Sequence, residues 1–209
     1  MAKNLAHIAE RKAFGMALNS LIEKGRKGDF AAEALALIDK IEKILGSSWQ
    51  SSSYEVLRNI AHSPDSKWAR YANRIVKEVD PHILKTFLLN AGYEAGFRGY
   101  KTSLEMEEKY GCNIPWIILM DPTTACNMHC TGCWAAEYGN KLNLSYEVMD
   151  KVITQGKELG IYAYLFTGGE PLVRKDDIIR LCEKHKDVAF HAFTNGTLID
   201  QKFCDDLLR

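Results

Sequence analysis

Three cysteines lie within one stretch of eight residues in the second half of the chain. They are Cys126, Cys130 and Cys133, separated by three residues and then by two. A disulfide uses two thiols, and a structural zinc site normally uses four protein ligands. Three soft thiolates in one loop can instead hold three irons of a cubane [4Fe–4S] cluster, which leaves the fourth iron open to a small chelating molecule. The spacing therefore predicts an iron–sulfur site.

Zinc is the main alternative for the same thiols. His129 lies inside the triplet and Cys112 lies upstream, so either side chain can complete a tetrahedral site. A zinc-stabilised binding module and an iron–sulfur electron-transfer protein therefore stay open beside an enzyme. The two remaining cysteines, Cys182 and Cys204, fall at core positions of predicted helices and are expected to be packed thiols.

Three short apolar runs position the triplet and two further unusual loops. The runs are WIILMD at 116–121, IYAYLF at 161–166 and VAFHAF at 188–193. Helical patterns separate them, one of them capped by Ser145, so the order predicts parallel βα units. The first run is expected to be a strand buried on both faces. The cysteine loop, TGGEP and TNG each follow a strand, which gathers them at the carboxyl edge of the sheet, where α/β proteins bind ligands.

The combined pattern resembles the radical SAM (S-adenosylmethionine) superfamily. Cys126, Cys130 and Cys133 match the family's Cys-x3-Cys-x2-Cys after the first strand, and Gly168–Pro171 matches its Gly-Gly-Glu-Pro after the second. The TNG after the third strand also recurs in the branch that includes molybdenum-cofactor and peptide-modifying enzymes. The resemblance covers about residues 112–209. It implies an α/β fold, a partial (βα) TIM-like barrel with about three βα units.

The resemblance also implies a reaction. A [4Fe–4S] cluster would cleave S-adenosyl-L-methionine reductively, under anaerobic conditions, and the resulting 5′-deoxyadenosyl radical would modify a cofactor precursor, a peptide or a small metabolite. A reductase such as flavodoxin or ferredoxin would supply the electron. The cofactor carries this chemistry, and the protein supplies placement and exclusion of water.

Site residues follow from the matched motifs. The three cysteines are the implied iron ligands, and the implied SAM-binding residues are Gly168, Gly169, Glu170, Pro171, Thr194, Asn195 and Trp134. The glycines lack Cβ atoms, so backbone can approach a ligand closely. Many family members carry an aromatic residue just before the third cysteine, near the adenine. Here that position is Gly132, so Trp134 or another residue is expected to take that contact. His191 is open between a core and a substrate-facing role.

Residues 1–105 predict a helical N-terminal region. Apolar residues recur at helical spacing between Phe30 and Leu45 and again between Trp68 and Val79. GSSWQSSS, 46–53, is expected to be a polar connector. Asp80 and Pro81 form a predicted N-cap and first-turn pair. A lid, a substrate-delivery domain and a partner-binding module are all open as functions of this region.

The charge balance limits which classes of binding partner are expected. The chain has 27 basic and 27 acidic residues, which gives no reason to expect nucleic acid or an anionic membrane. No apolar signal segment opens the chain, and its apolar runs are too short to span a bilayer. A cytoplasmic protein with reduced thiols is the expectation.

The predicted core is only part of the family's usual core of six βα units. Three strands are predicted, and residue 209 falls within a predicted helix. We therefore expect residues 112–209 to be the first half of a truncated radical SAM core, from a longer protein or one completed by a partner. Such a chain is expected to bind a cluster poorly by itself.

Overall fold

The computed structural model describes residues 2–28, 30–45, 51–135, 139 and 141–209. The chain divides into two compact units, Met1–Leu89 and Asn90–Arg209. Each unit has its own apolar core. The predicted domain limits, 1–105 and 112–209, remain a prediction beside this division.

The first unit is built from helices α1 to α5. Their bounds are α1 Ala2–Lys27, α2 Phe30–Leu45, α3 Ser51–Ala61, α4 Lys67–Glu78 and α5 Pro81–Phe87. Helix α1 packs against α2, α4 and α5. Ile22, Val76 and Leu84 form a buried cluster where these helices meet.

Two helix starts follow from their predicted caps. The Asp80 carboxylate accepts hydrogen bonds from the backbone N–H groups of His82 and Ile83, and Pro81 opens α5 as predicted. The predicted connector is wrong over Ser51–Ser53, which begin α3, because the apolar face of the following segment extends the helix to them. The rest of that connector, 46–50, lies outside the described residues.

A π-helix, Leu88–Gly99, follows α5 where the periodicity predicted continued α-helix. Helix α6, Tyr100–Tyr110, comes next and ends at Gly111, which adopts a left-handed conformation. Within the π-helix the fully buried carboxylate of Glu94 accepts a hydrogen bond from Arg98 at 2.8 Å. Asn90 donates to the backbone carbonyls of Lys186 and Val188 and so secures the turn before the last strand.

The second unit contains a three-stranded parallel sheet in the order β1-β2-β3. The strands are β1 Ile117–Met120, β2 Ala163–Phe166 and β3 Ala189–Ala192, and they confirm the three predicted strands. Helix α7 (Tyr146–Glu158) connects β1 to β2. A 3-10 turn (Pro171–Arg174) and α8 (Lys175–Lys184) connect β2 to β3, and α9 (Gln201–Leu208) follows β3. Ser145 caps α7 by accepting a hydrogen bond from the Val148 N–H, as predicted.

The two faces of the sheet differ in burial. Tyr164 on one face is fully buried and donates hydrogen bonds to the carbonyls of Ile153 and Ile161, which fastens the sheet to α7. Leu119, Leu165 and His191 stand in register on the other face. Leu119 is 56% exposed and His191 is exposed. The expectation that β1 is buried on both faces is therefore wrong, and His191 is not a core residue.

Candidate functional site at the carboxyl edge of the sheet

The loop after β2 continues the strand pairing into the start of the cysteine loop. The N–H of Thr167 donates to the Met120 carbonyl at 2.9 Å, and the N–H of Gly169 donates to the Thr123 carbonyl at 3.0 Å. The N–H of Glu170 donates to the Ala125 carbonyl at 2.8 Å. These bonds fix the backbone up to the residue before Cys126. The second motif therefore positions the first.

The two glycines of this loop are required by that close approach. A Cβ added at Gly169 would lie 2.3 Å from the Ala125 carbonyl oxygen and 2.6 Å from that of Thr124. Gly168 has a φ of 98°, which L side chains rarely adopt, and a Cβ there would lie 2.6 Å from the Thr123 oxygen. The glycines make room for the cysteine loop itself. Their predicted contact with SAM stays a prediction.

Glu170 ties all three loops together. Its side chain is buried, with 1% exposure. Oε1 accepts hydrogen bonds from the Leu172 N–H and the Thr194 hydroxyl, at 2.9 and 2.6 Å, and Oε2 accepts one from the Asn195 N–H at 2.8 Å. Glu170 also caps the short helix that starts at Pro171. Its carboxylate therefore has protein donors at both oxygens, which gives it a structural role beside the predicted one.

An exposed polar network joins the TNG loop to the cysteine loop. Asn127 follows Cys126 directly, and its Oδ1 accepts a hydrogen bond from Asn195 Nδ2 at 3.0 Å. Asn127 Nδ2 donates to Thr197 Oγ1 at 2.7 Å, and the Thr197 hydroxyl donates to Asn195 Oδ1 at 2.7 Å. Because Asn127 lies between the first two cysteines, this network holds the cysteine loop against the loop after β3. No local sequence pattern predicts this link.

The three cysteines lie on one solvent-accessible loop. Cys126 is half-buried, whereas Cys130 and Cys133 are exposed. The N–H of Cys133 donates to the Cys130 carbonyl at 3.2 Å, and Gly132 between them has a φ of 73°. Within the described residues, no three His, Cys, Asp or Glu side chains are grouped closely enough to hold a metal ion. The thiols share a loop and an edge of the sheet but do not converge.

Trp134 and Pro171 occupy different surroundings. Trp134 follows the third cysteine and is 63% exposed. Pro171 is buried at the first position of the 3-10 turn, where its ring fits a helix start. An exposed indole beside the cysteine loop is a side chain of the kind that stacks on a planar ring. The adenine contact of Trp134 is still a prediction.

Asp121 is a polar residue at this edge that the sequence did not single out. It directly follows β1, and its Oδ1 is buried without a hydrogen-bond partner among the described groups. The Asp121 side chain lies beside Gly168, since a Cβ on that glycine would stand 3.0 Å from the Asp121 Cβ. A buried carboxylate oxygen without a partner is costly. This orphaned acceptor, together with three thiols of the right chemistry in the adjoining loop, fits a cationic ligand carried on an iron–sulfur cluster.

Comparison with known proteins identifies the domain. A profile of the radical SAM superfamily matches residues 120–209, which include all three loops. Over residues 120–209, the chain is therefore similar to the radical SAM superfamily. Members of this superfamily use a [4Fe–4S] cluster and SAM. The cysteine triplet, the glycine loop and the TNG loop all lie within the matched residues.

Individual relatives match less than half of the chain and less than a third of their own length. An uncharacterized protein of Archaeoglobus fulgidus is 33% identical over 94 residues, which is 43% of this chain and 22% of the relative. A GTP 3′,8-cyclase of Petrotoga mobilis is 33% identical over 101 residues, covering 45% of this chain and 31% of the relative. An Fe-coproporphyrin III synthase of Methanosarcina barkeri is 32% identical over 96 residues, covering 44% and 24%. The chain thus spans less than a third of each of these relatives. No solved structure matches the chain at a significant level.

None of the described helices combines the length and the apolar character that crossing a membrane requires.

Proposed function

We propose that the chain is the SAM-cleaving part of a radical SAM enzyme. The observation that carries this proposal is the linkage of the three motif loops. Glu170 joins the glycine loop to the TNG loop, and backbone hydrogen bonds join the glycine loop to the segment entering Cys126. An electron-transfer protein or a zinc module needs the cysteines but has no use for this coupling of three strand ends.

The cofactor would be held by residues of all three loops. Cys126, Cys130 and Cys133 would ligate three irons of a [4Fe–4S] cluster, with the cysteine loop closing to bring their sulfurs together. SAM carries an ammonium group and a sulfonium. The unpartnered carboxylate oxygen Oδ1 of Asp121 is suited to stabilise this positive charge. Trp134 would offer an aromatic surface to the adenine, and Thr194 and Asn195 polar groups to the ribose or carboxylate. When bound, cluster and SAM supply one-electron cleavage of a carbon–sulfur bond, which yields methionine and a 5′-deoxyadenosyl radical.

The substrate would lie against the exposed face of the sheet. Leu119, Leu165 and His191 offer apolar surface and one imidazole there, next to the carboxyl edge. Relatives are named for GTP cyclisation and for Fe-coproporphyrin III synthesis. We infer modification of a cofactor precursor, a peptide or a small metabolite, in a fold completed to a TIM-like barrel. The electron would come from a small reductant such as flavodoxin or ferredoxin.

Anaerobic reconstitution tests the proposal. The 209-residue chain is incubated with iron and sulfide, reduced with dithionite, and its electron paramagnetic resonance spectrum is recorded with and without SAM. A cluster with an open iron changes its signal when SAM binds. Formation of 5′-deoxyadenosine, measured by mass spectrometry, then reports cleavage. The spectrum tests the cofactor site even where turnover is slow.

Matched cysteine variants serve as controls. Cys130→Ala is expected to lose the cluster, whereas Cys112→Ala, also an exposed thiol but outside the triplet, is expected to keep it. A cluster whose spectrum ignores SAM would instead identify an electron carrier. Stoichiometric zinc with no cluster would identify a binding module, and either result would overturn the proposal.

A further inference from the structure

The cysteine loop is closed at its base by two backbone hydrogen bonds. The N–H of Thr124 donates to the Leu142 carbonyl at 2.9 Å, and the N–H of Leu144 donates to the Pro122 carbonyl at 3.0 Å. All three cysteines lie between these two pairs of residues, which form the neck of the loop. Two-stranded pairing of this kind is marginal in water without further support. The position of the cysteines therefore depends on what else holds the neck.

The Arg174 side chain joins both segments of the neck. Arg174 is the last residue of the 3-10 turn that follows the glycine loop. Its Nη1 donates to the Leu144 carbonyl at 2.8 Å and to the Pro122 carbonyl at 3.3 Å. A guanidinium can serve two carbonyls together because its N–H groups project from a rigid plane. One cation thus holds the segment that enters the cysteine loop and the segment that leaves it.

The contact with the leaving segment adds what the glycine loop does not supply. The backbone hydrogen bonds from Gly169 and Glu170 are made to the entering segment, at Thr123 and Ala125. The bond from Arg174 to Leu144 extends this attachment to the other side of the neck. Both sides of the cysteine loop are therefore tied to the segment that carries the second motif.

Asp177 on α8 fixes the orientation of the guanidinium. Its Oδ2 accepts hydrogen bonds from Arg174 Nε at 2.8 Å and from Arg174 Nη2 at 2.5 Å. Only about a fifth of each side chain is exposed, so this ion pair is partly shielded from water. Such a charge-assisted contact adds geometric specificity. The remaining nitrogen, Nη1, is the one that bonds to the neck.

We propose that Arg174 is a positioning residue for the radical SAM site, which acts by holding the neck of the cysteine loop closed. A closed neck keeps the cysteine triplet beside the glycine loop, where SAM would bind. The inference rests on the proposed function for its purpose, whereas its geometry rests on the contacts of Arg174 alone.

Hydrogen exchange of the 209-residue chain without a cluster tests the closed neck. Nuclear magnetic resonance follows the amides of Thr124 and Leu144 individually. In Arg174→Met they are expected to exchange about tenfold faster, since a hydrogen bond from a charged donor is worth at least about that factor. Amides of β2 are expected to exchange as in the wild type, which shows that the variant is folded. Unchanged exchange at the neck, or an equal increase in β2, would overturn the inference.

Arg180→Met is the matched control. Arg180 donates to Asp177 at 3.1 Å, and its guanidinium lies 3.8 Å from the centre of the Tyr146 ring, so these partners belong to α8 and α7 and not to the neck. This variant is expected to leave exchange at the neck unchanged. Arg174→Lys keeps the charge without the planar fork and is expected to exchange faster than the wild type. Wild-type exchange in Arg174→Lys would show that charge alone suffices and would contradict the proposed geometry.

Reconstituted protein connects the neck to the cofactor site. After anaerobic reconstitution, Arg174→Met is expected to lose iron to a chelator about tenfold faster than the wild type and Arg180→Met, because release requires the neck to open. Its electron paramagnetic resonance signal is expected to need about tenfold more SAM for the same change. Iron retention and SAM response equal to the wild type would overturn the positioning role. A wild-type cluster that ignores SAM would instead overturn the proposed function, and exchange at the neck would still decide whether Arg174 holds it closed.

Discussion

The hydroxyl of Thr194 donates a hydrogen bond to the buried carboxylate of Glu170, with 2.6 Å between the two oxygens. The two residues follow different strands and are separated by 24 positions in the sequence. Together with the Asn195 N–H, this contact makes one carboxylate the junction between the glycine loop and the TNG loop. A site formed by three loops needs such a junction, because loops carry little intrinsic order.

Replacing Glu170 by Gln tests this junction. The amide has one oxygen, and its NH2 group would face either the Asn195 N–H or the two donors at Oε1, the Leu172 N–H and the Thr194 hydroxyl. In either orientation at least one donor loses its acceptor. We expect the free energy of unfolding to fall by about 1–3 kcal/mol. Urea denaturation measures it. Glu158→Gln, an exposed residue of α7, is the control, and equal midpoints for the two variants would show that the junction carries no stability.

Gly169→Ala is expected to push the glycine loop off the cysteine loop. The added methyl group meets two backbone carbonyls, those of Ala125 and Thr124, and backbone cannot rotate aside as a side chain can. We expect a loss of about 1–3 kcal/mol in the free energy of unfolding, the usual cost of overpacking. Gly92→Ala is the matched change, because among the described residues no atom beyond its own helix backbone lies within 4 Å of an added Cβ. Equal stability of the two variants would contradict this close packing.

The thiol of Cys182 is expected to resist alkylation in the folded protein. Burial raises its pKa to about 12, so almost no thiolate is present at pH 8. This raised pKa contributes stability fully below the ordinary thiol pKa, and the contribution declines as the pH rises toward 12. Iodoacetamide followed by mass spectrometry should modify the exposed Cys112, Cys130 and Cys133 first. Modification of Cys182 at the same rate as in urea would contradict the packed position.

The sequence predicted the strands well because each is an apolar run closed by a distinctive loop. It also predicted the caps Asp80 and Ser145, since an N-cap hydrogen bond is formed within three residues. Local pattern could not reveal the exposed face of β1, since the apolarity of Leu119 is the same whether a neighbour covers it or not. The π-helix at Leu88–Gly99 was missed for a similar reason: its residues have ordinary helical periodicity.

Side-chain links between distant segments were beyond prediction from sequence. Glu170 was expected beside a ligand because of its motif, yet its oxygens accept hydrogen bonds from Leu172, Thr194 and Asn195. The sequence did not indicate a role for Asp121, because a lone aspartate after a strand is common. Its importance comes from burial of an unpartnered oxygen, which only packing produces. The cysteine spacing, by contrast, is a local signal, and it pointed to the family that residues 120–209 match.

The stability of the second unit is expected to depend on pH through Asp150. Its pKa is lowered, first by the hydrogen bond from Lys184 and also by the contact with His185 at 2.8 Å. A lowered pKa contributes stability above the ordinary aspartate pKa, and this is lost as the pH falls through the lower folded value. Because Lys184 is half exposed, we expect this contribution to the free energy of unfolding to be less than about 1 kcal/mol.

Denaturation at pH 7 and at pH 3 measures this dependence. Asp150→Asn is expected to unfold with a smaller difference in free energy between the two pH values than the wild type. Asp65→Asn, an exposed aspartate in the first unit, is expected to leave that difference unchanged. An identical pH dependence in Asp150→Asn and wild type would exclude this carboxylate as its source.

Asn127→Ala is expected to weaken retention of the cluster with little effect on folding. Asn127 lies between Cys126 and Cys130, and its amide is held by Asn195 and Thr197. These groups are exposed, so their loss costs the fold little, but the cysteine loop loses its tie to the loop after β3. Iron and sulfide per chain after anaerobic reconstitution, followed over time with a chelator, measure the effect.

The exposed Asn113 outside the loop gives the matched control, since Asn113→Ala is expected to keep iron as the wild type does. Asn195→Ala cuts the same network from the other side. If Asn127 acts through Asn195, the double variant loses iron no faster than either single variant, because coupled residues are not additive. Additive losses would mean that each asparagine acts separately on the cluster, and the exposed network would then not be what holds the cysteine loop in place.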